Sequence, residues 1–207
     1  MNHLVAPSLL SADFSHLAND LEMINRSEAD WLHLDIMDGV FVPNISFGFP
    51  VLKHVAAICT KPLDVHLMIV NPEKFIDEVK ALGATMMNVH YEACLHLHRV
   101  VGQIHEAGMR AGVTLNPSTP VAMLVDMIRD VDMVLLMAVN PFVLGDVLAG
   151  EAGRPPQSGG GPIPCHRVGS AGFLQREAWR ECRAEALPRS FRVLPRRAGE
   201  LLRLPWG

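Results

Sequence analysis

No apolar run in this 207-residue chain approaches the roughly 18–20 residues needed to cross a bilayer, so a membrane span is not expected. The start, Met1-Asn2-His3-Leu4, lacks the basic residues and long apolar stretch of a secretory signal. Cysteine is sparse. Cys59, Cys94, Cys165 and Cys182 are scattered and form no C-x-x-C pair, a usage that suits a reducing cytosol and argues against a disulfide framework. A net charge of −4 gives no general attraction for nucleic acid. Other shortages are regional. No methionine follows Met137, no aspartate follows Asp146, and no lysine occurs in 151–207. Residues 1–150 carry 8 Lys+Arg against 17 Asp+Glu, a net of −9, whereas 151–207 carry 10 Arg against 5 Glu, a net of +5. That second stretch also holds 7 Pro and 8 Gly in 57 residues, which sets it apart in composition from the rest.

What is present is ordinary for a globular protein with a substantial core: 49% apolar and 19% charged residues. The length fits one domain, and a single α/β barrel can use nearly all of it. Short apolar runs alternate with helix-like stretches, the pattern of βαβ units on a parallel sheet. Strands are expected near Leu4–Leu9, Trp31–Met37, Leu63–Met68, Met86–His90, Arg110–Leu115 and Met133–Ala138. Ser15–Asn25 places Leu17, Leu21 and Ile24 on one helical face, with Ser15 as the candidate N-cap. A helix over Pro72–Leu82 opens on Asn71-Pro72, where proline's missing N–H costs little, and Gly83 is its expected stop. His96–Ala107 ends at Gly108, and Ser118 or Thr119 before Pro120 starts the next helix. After Ala138 the rhythm fails. Gly150–Pro164 reads as loop or linker, Ser170–Leu187 as one amphipathic helix using Phe173, Leu174 and Trp179, and Phe191–Leu194 as a strand cut short by Pro195. Six strands are legible where a closed barrel needs eight.

Two strand segments carry chemistry. In His33-Leu34-Asp35-Ile36-Met37-Asp38-Gly39 alternate residues share a face, so His33, Asp35 and Met37 project together. Asp64-Val65-His66-Leu67-Met68 repeats the arrangement on the next strand. Two imidazoles and a carboxylate from adjacent strands suit a divalent cation with positions left for substrate oxygens. The plain alternative is a pair of hydrogen-bonded core histidines, and spacing alone does not choose. Asp38 points away from the His33–Asp35 face and reads as structural.

The segments Ala6-Pro7-Ser8-Leu9-Leu10-Ser11-Ala12-Asp13-Phe14, His33 to Gly39 and Phe41-Val42-Pro43-Asn44 resemble a ribulose-phosphate 3-epimerase. Asp64 to Met68, Val89-His90-Tyr91-Glu92-Ala93 and Leu136-Met137-Ala138-Val139-Asn140-Pro141 continue the likeness in the right order, over about two-thirds of the chain. The resemblance implies a (β/α)8 barrel of the ribulose-phosphate-binding type in residues 1–141. It implies C3 epimerisation of D-ribulose 5-phosphate to D-xylulose 5-phosphate through an enediolate, in the pentose phosphate route. A six-carbon ketose phosphate is the variant substrate. It assigns His33, Asp35 and His66 as ligands of a divalent cation (Zn, Fe, Mn or Co) and Asp35 as one of two acid/base carboxylates. Ser8, His66, Met37, Met68, Met137 and Gly145 correspond to substrate contacts. Three strand-end methionines are, read from the residues alone, more often core filler. A cytoplasmic homo-oligomer acting on a small sugar phosphate, without nucleic acid or membrane, is the accompanying expectation.

The likeness stops at Pro141. The family continues there with Gly-Phe-Gly-Gly, a phosphate-cradling loop, whereas this chain has Phe142-Val143-Leu144-Gly145 and keeps only Gly145. The family's seventh strand bears an aspartate that is both second acid/base and fourth metal ligand, and no aspartate follows Asp146. Residues 142–207 therefore read as a divergent tail, by a shift of reading frame near residue 142 or by natural replacement. The barrel is expected to be incomplete, with about six β/α units, and activity impaired. The rival reading is an inactive partial barrel that binds metal or serves as an interaction module.

Other features carry less. His96 and His98 diverge at i, i+2 on a helix and make a poor metal pair. His90 and Glu92 point the same way at a strand end and are candidates for a supporting pair, with plain burial as the alternative. Cys165-His166 lacks partner ligands, and Gly159-Gly160-Gly161 lacks the Lys-Ser/Thr of a phosphate loop. The Arg-rich tail, its charges dispersed among Pro and Gly, reads as solvated.

Overall fold

A computed structural model of the chain describes residues 4–137. Its centre is a sheet of five parallel strands in sequence order: β1 (Leu32–Met37), β2 (Leu63–Met68), β3 (Met86–His90), β4 (Arg110–Leu115) and β5 (Met133–Leu136). Helices α1 (Leu17–Arg26), α2 (Phe49–Ile58), α3 (Ile76–Ala81) and α4 (Leu97–Glu106) fall between them. Parallel neighbours need such crossovers, because a tight turn cannot return the chain to its starting end.

Pleating sorts the strand residues into two faces. Leu34, Ile36, Val65, Leu67, Met87, Val89, Ala111, Val113 and Leu115 form one core cluster with Leu21, Ile24, Leu52, Val55, Val79, Val100, Val101 and Ile104 of the helices. The other face carries His33, Asp35, Asp64, His66, Asn88, His90 and Thr114, all buried. The register holds these polar residues in rows, with His33 beside Asp64, Asp35 beside His66, His66 beside Asn88, and His90 beside Thr114. One face is oil and the other is chemistry.

The expected N-terminal strand takes a different form. Residues 4–8 run extended beside β1, with one parallel bridge between Ser8 and His33 and the His33 N–H donating to the Pro7 carbonyl at 2.9 Å. Pro7 has no N–H to continue a ladder, and a 3-10 turn follows at Leu9–Ser11. Ser15 is not a cap. Asp13 is, its side chain accepting from the Ser15 N–H at 3.0 Å ahead of a 3-10 turn that leads into α1. The segment after Pro120 makes only a 3-10 turn, Val121–Leu124, in place of the expected helix. The stretch from Pro72 is split into a 3-10 turn, Pro72–Phe75, and α3, with Gly83 at φ +74° stopping it as expected. For α2 the sequence pattern sets no expectation. Expectations for Ala138 onward, the tail helix and strand included, lie outside the described residues, as does Gly145.

Candidate functional site

Site geometry starts from the end of β1. Met37 and Asp35 are held by Ser46, whose hydroxyl accepts from the Met37 N–H at 3.0 Å and donates to the Asp35 carbonyl at 2.8 Å. Asp38 turns outward, as expected, and its carboxylate accepts from the N–H groups of Val40, Phe41 and Val70, each at 2.8 Å. These bonds depress its pKa against the opposing effect of burial. The loop after β1 is thereby tied to the loop after β2.

On the polar face, Asp35 lies between two imidazoles. Its Oδ1 is 3.1 Å from His33 Nε2 and 2.9 Å from His66 Nδ1, while Oδ2 accepts from the Ser8 hydroxyl. His33 turns its Nδ1 to Asp64 Oδ2 at 2.7 Å, and Asp64 Oδ1 accepts from the Asn88 amide. Sequence reasoning had not given Asp64 a role, although the strand period alone puts it on the His66 face. Asn88 was also missed, because an uncharged residue inside an apolar run gives no signal. Its amide oxygen sits over Gly112, where an added Cβ would lie only 1.6 Å away. That oxygen and the Thr114 hydroxyl are buried without a hydrogen-bond partner among the described residues.

The two histidines respond oppositely to the same burial. Burial opposes charge on His33, but Asp35 and then Asp64 outweigh it and hold the pKa well above the ordinary imidazole value. For His66 burial prevails: Asp35 opposes it, His90 and His33 reinforce it, and the pKa falls to about 4. Burial would raise the Asp35 carboxyl, yet His33 and His66 hold it far below the usual carboxylate range. Asp35 is therefore ionised at neutral pH.

Donor atoms from His33, Asp35 and His66 all lie within 4.8 Å of one another, and all three residues are buried. Ligands placed tetrahedrally at about 2.1 Å from a cation are spaced about 3.4 Å apart, near the 3.1 and 2.9 Å at which the two imidazole nitrogens stand from Asp35 Oδ1. Two nitrogens converging on one buried carboxylate oxygen thus fit a divalent cation. Met37 and Met68 pack with Val42 against Leu10 and Phe41, and Met137 is also buried.

Parallel strands, helices on one face and a polar cluster on the other define a β/α-barrel protein of the TIM type. The same fold is seen in mutant tryptophan synthase alpha-subunits from Pyrococcus furiosus. One matches with a TM-score of 0.51 and 17% identity, covering 65% of each chain. Another matches with a TM-score of 0.51 and 18% identity, covering 65% of this chain and 64% of that one.

Sequence narrows the class. The chain belongs to the ribulose-phosphate 3 epimerase family, whose model matches residues 4–150. It is 49% identical over 137 residues to a ribulose-phosphate 3-epimerase of Bacillus subtilis, a match covering 66% of this chain and 63% of that one. A Synechocystis ribulose-phosphate 3-epimerase is 47% identical over 142 residues, covering 68% of this chain and 62% of that one. The chloroplastic ribulose-5-phosphate-3-epimerase of Arabidopsis thaliana is 44% identical over 140 residues, covering 67% and 50%. The chain thus spans less than two thirds of the length of these relatives.

Proposed function

We propose that this chain is an epimerase acting at C3 of D-ribulose 5-phosphate to give D-xylulose 5-phosphate, working slowly for want of a second acid/base. The observation that carries this reading is the placement of Asp35 between His33 and His66, hydrogen-bonded by Ser8. His33, Asp35 and His66 would hold a divalent cation, which when bound supplies positive charge against the negative charge that develops on the substrate's oxygens. Asp35 takes the C3 proton on one face. Ser8, by donating to Asp35 Oδ2, fixes the plane of the carboxylate. Met37, Met68 and Met137 form an apolar wall that keeps water from the reacting carbon.

Inversion needs a proton returned from the opposite face. In the family a second aspartate supplies it, and none follows Asp146 in this chain. Loss of a positioned acid or base costs on the order of 10²–10⁴ in rate. A second reading rests on the same absence: a partial barrel in residues 1–141 that holds a cation without turnover, followed by a divergent tail. Sparse cysteines, with Cys59 and Cys94 free among the described residues, fit a cytoplasmic setting.

Two proton faces give the test. Metal-loaded protein with D-ribulose 5-phosphate in D2O is followed at C3 by NMR. We expect deuterium to enter ribulose 5-phosphate faster than xylulose 5-phosphate accumulates, because one face has its base and the other does not. Asp35→Asn is expected to remove the exchange by on the order of 10²–10⁴. Absence of both exchange and inversion in folded, metal-loaded protein selects the second reading.

A further inference from the structure

Behind His66, on the side away from Asp35, runs a chain of groups that the proposed reaction does not use. His66 Nε2 lies 2.9 Å from His90 Nε2, and the two rings stack with centroids 4.9 Å apart and planes 23° from parallel. His90 is fully buried, with the Phe41 ring 4.7 Å from its own. Its other nitrogen, Nδ1, is 3.3 Å from Glu92 Oε2. Glu92 Oε1 in turn accepts from the Asn116 N–H at 2.9 Å and from the Thr119 hydroxyl. Each member of the chain is fixed by a neighbour from a different segment.

Hydrogen-bond accounting gives this chain a direction. Two ring nitrogens at 2.9 Å can share one hydrogen, one donating and the other accepting. A carboxylate can only accept, so His90 Nδ1–H donates to Glu92. With its proton there, His90 offers the Nε2 lone pair to His66. Without a cation His66 Nδ1–H donates to Asp35 Oδ1 at 2.9 Å; with a cation on Nδ1 the His66 proton must sit on Nε2, where His90 is placed to accept it. His33 has the same device in one link, its Nδ1 meeting Asp64 directly. Histidines that bind metals commonly donate their second N–H to an acceptor that sets tautomer and ring angle.

We propose that Glu92 and His90 are positioning residues that fix His66 as the Nε2–H tautomer and hold its Nδ1 on the cation site. The inference rests on reading His33, Asp35 and His66 as that site. It extends the site to the segment after β4, through the Glu92 contacts with Asn116 and Thr119, and to the loop after β1, through Phe41.

The test uses the full chain and cobalt(II), followed by its visible absorption. Wild type is expected to bind cobalt. His90→Phe keeps an aromatic ring but loses both nitrogens, and Glu92→Leu loses the acceptor. Each is expected to weaken cobalt binding by about 10–100-fold. His90→Gln, which keeps an acceptor near the Nε2 position, should recover most of the affinity. Cobalt binding unchanged in His90→Phe, with wild type binding normally, overturns the positioning role and leaves the metal centre standing. No cobalt binding by folded wild type overturns both. Nitrogen-15 NMR of histidine-labelled, zinc-loaded wild type gives a readout that needs no variant. The His66 proton is expected on Nε2, and a proton on Nδ1 overturns the proposal.

Discussion

Asn88 and Gly112 occupy one space between them. The Asn88 amide oxygen stands where a Gly112 side chain would begin, and the same amide donates to Asp64, which orients His33. Gly112→Ala must push Asn88 aside, and overpacking a buried position of this kind costs about 1–3 kcal/mol. Urea unfolding measures that cost, and a double-mutant cycle assigns it. On an Asn88→Ala background the clash disappears, so Gly112→Ala should cost clearly less there than in wild type. Equal costs on both backgrounds would show that Asn88 is not what the methyl group meets. At this scale residue type and strand period raise candidates, yet Asp64, on the same face and 2.7 Å from His33, gets no role from them. His33, Asp35 and His66 stand out by residue type and period, but the family resemblance, not spacing, makes them a cation site rather than core histidines. Asn88 and Gly112 are visible only once the register sets them side by side.

Among the elements, the strands with strongly apolar, β-branched or methionine-rich runs were legible to the residue: Leu63–Met68, Met86–His90 and Arg110–Leu115 match their expected bounds. The N-terminal strand was harder because Pro7 interrupts its donors, and the run beyond Pro120 because its 3-10 turn has exposed apolar residues, Val121 and Met123 among them. Helix α2 hides behind Gly48, Phe49 and Pro50, which read as loop until proline is placed in the first helical turn. The connections depend on Asp38, whose carboxylate gathers three backbone donors from two loops. Asp38→Ala should lower stability by about 1.5–3 kcal/mol, the worth of hydrogen bonds to a charged group, with Asp38→Asn in between. Chemical denaturation checks it, and an unchanged midpoint in the alanine variant would mean the loops hold without their tie.

For the whole molecule, the titrating groups predict how metal-free protein responds to pH. Burial works to raise the Glu92 pKa, but His90, Thr119 and the Asn116 N–H bring it down from 4.5 to about 2. Its contribution is present above about pH 4.5 and lost as pH falls toward about 2. Asp38 and Asp132 are lowered as well and act in the same sense. His66, depressed from 6.5 to about 4, also costs stability on acidification, because the unfolded chain takes its proton first. His33 is raised, so its contribution is full below about pH 6.5 and lost as pH climbs through its higher folded value. The thermal midpoint of the chelated protein should therefore fall below about pH 6.5 on account of His66, and more steeply below about pH 4.5 as the carboxylates protonate. Stability that rises as pH is lowered from about 6.5 to 4 would contradict these assignments. The strand order has a consequence during synthesis. Among the described residues each strand after the first in the β1-β2-β3-β4-β5 sheet pairs with the one made just before it. Loop-closure entropy is then met in small, successive steps, and a chain leaving the ribosome can add one β/α unit at a time to a growing edge.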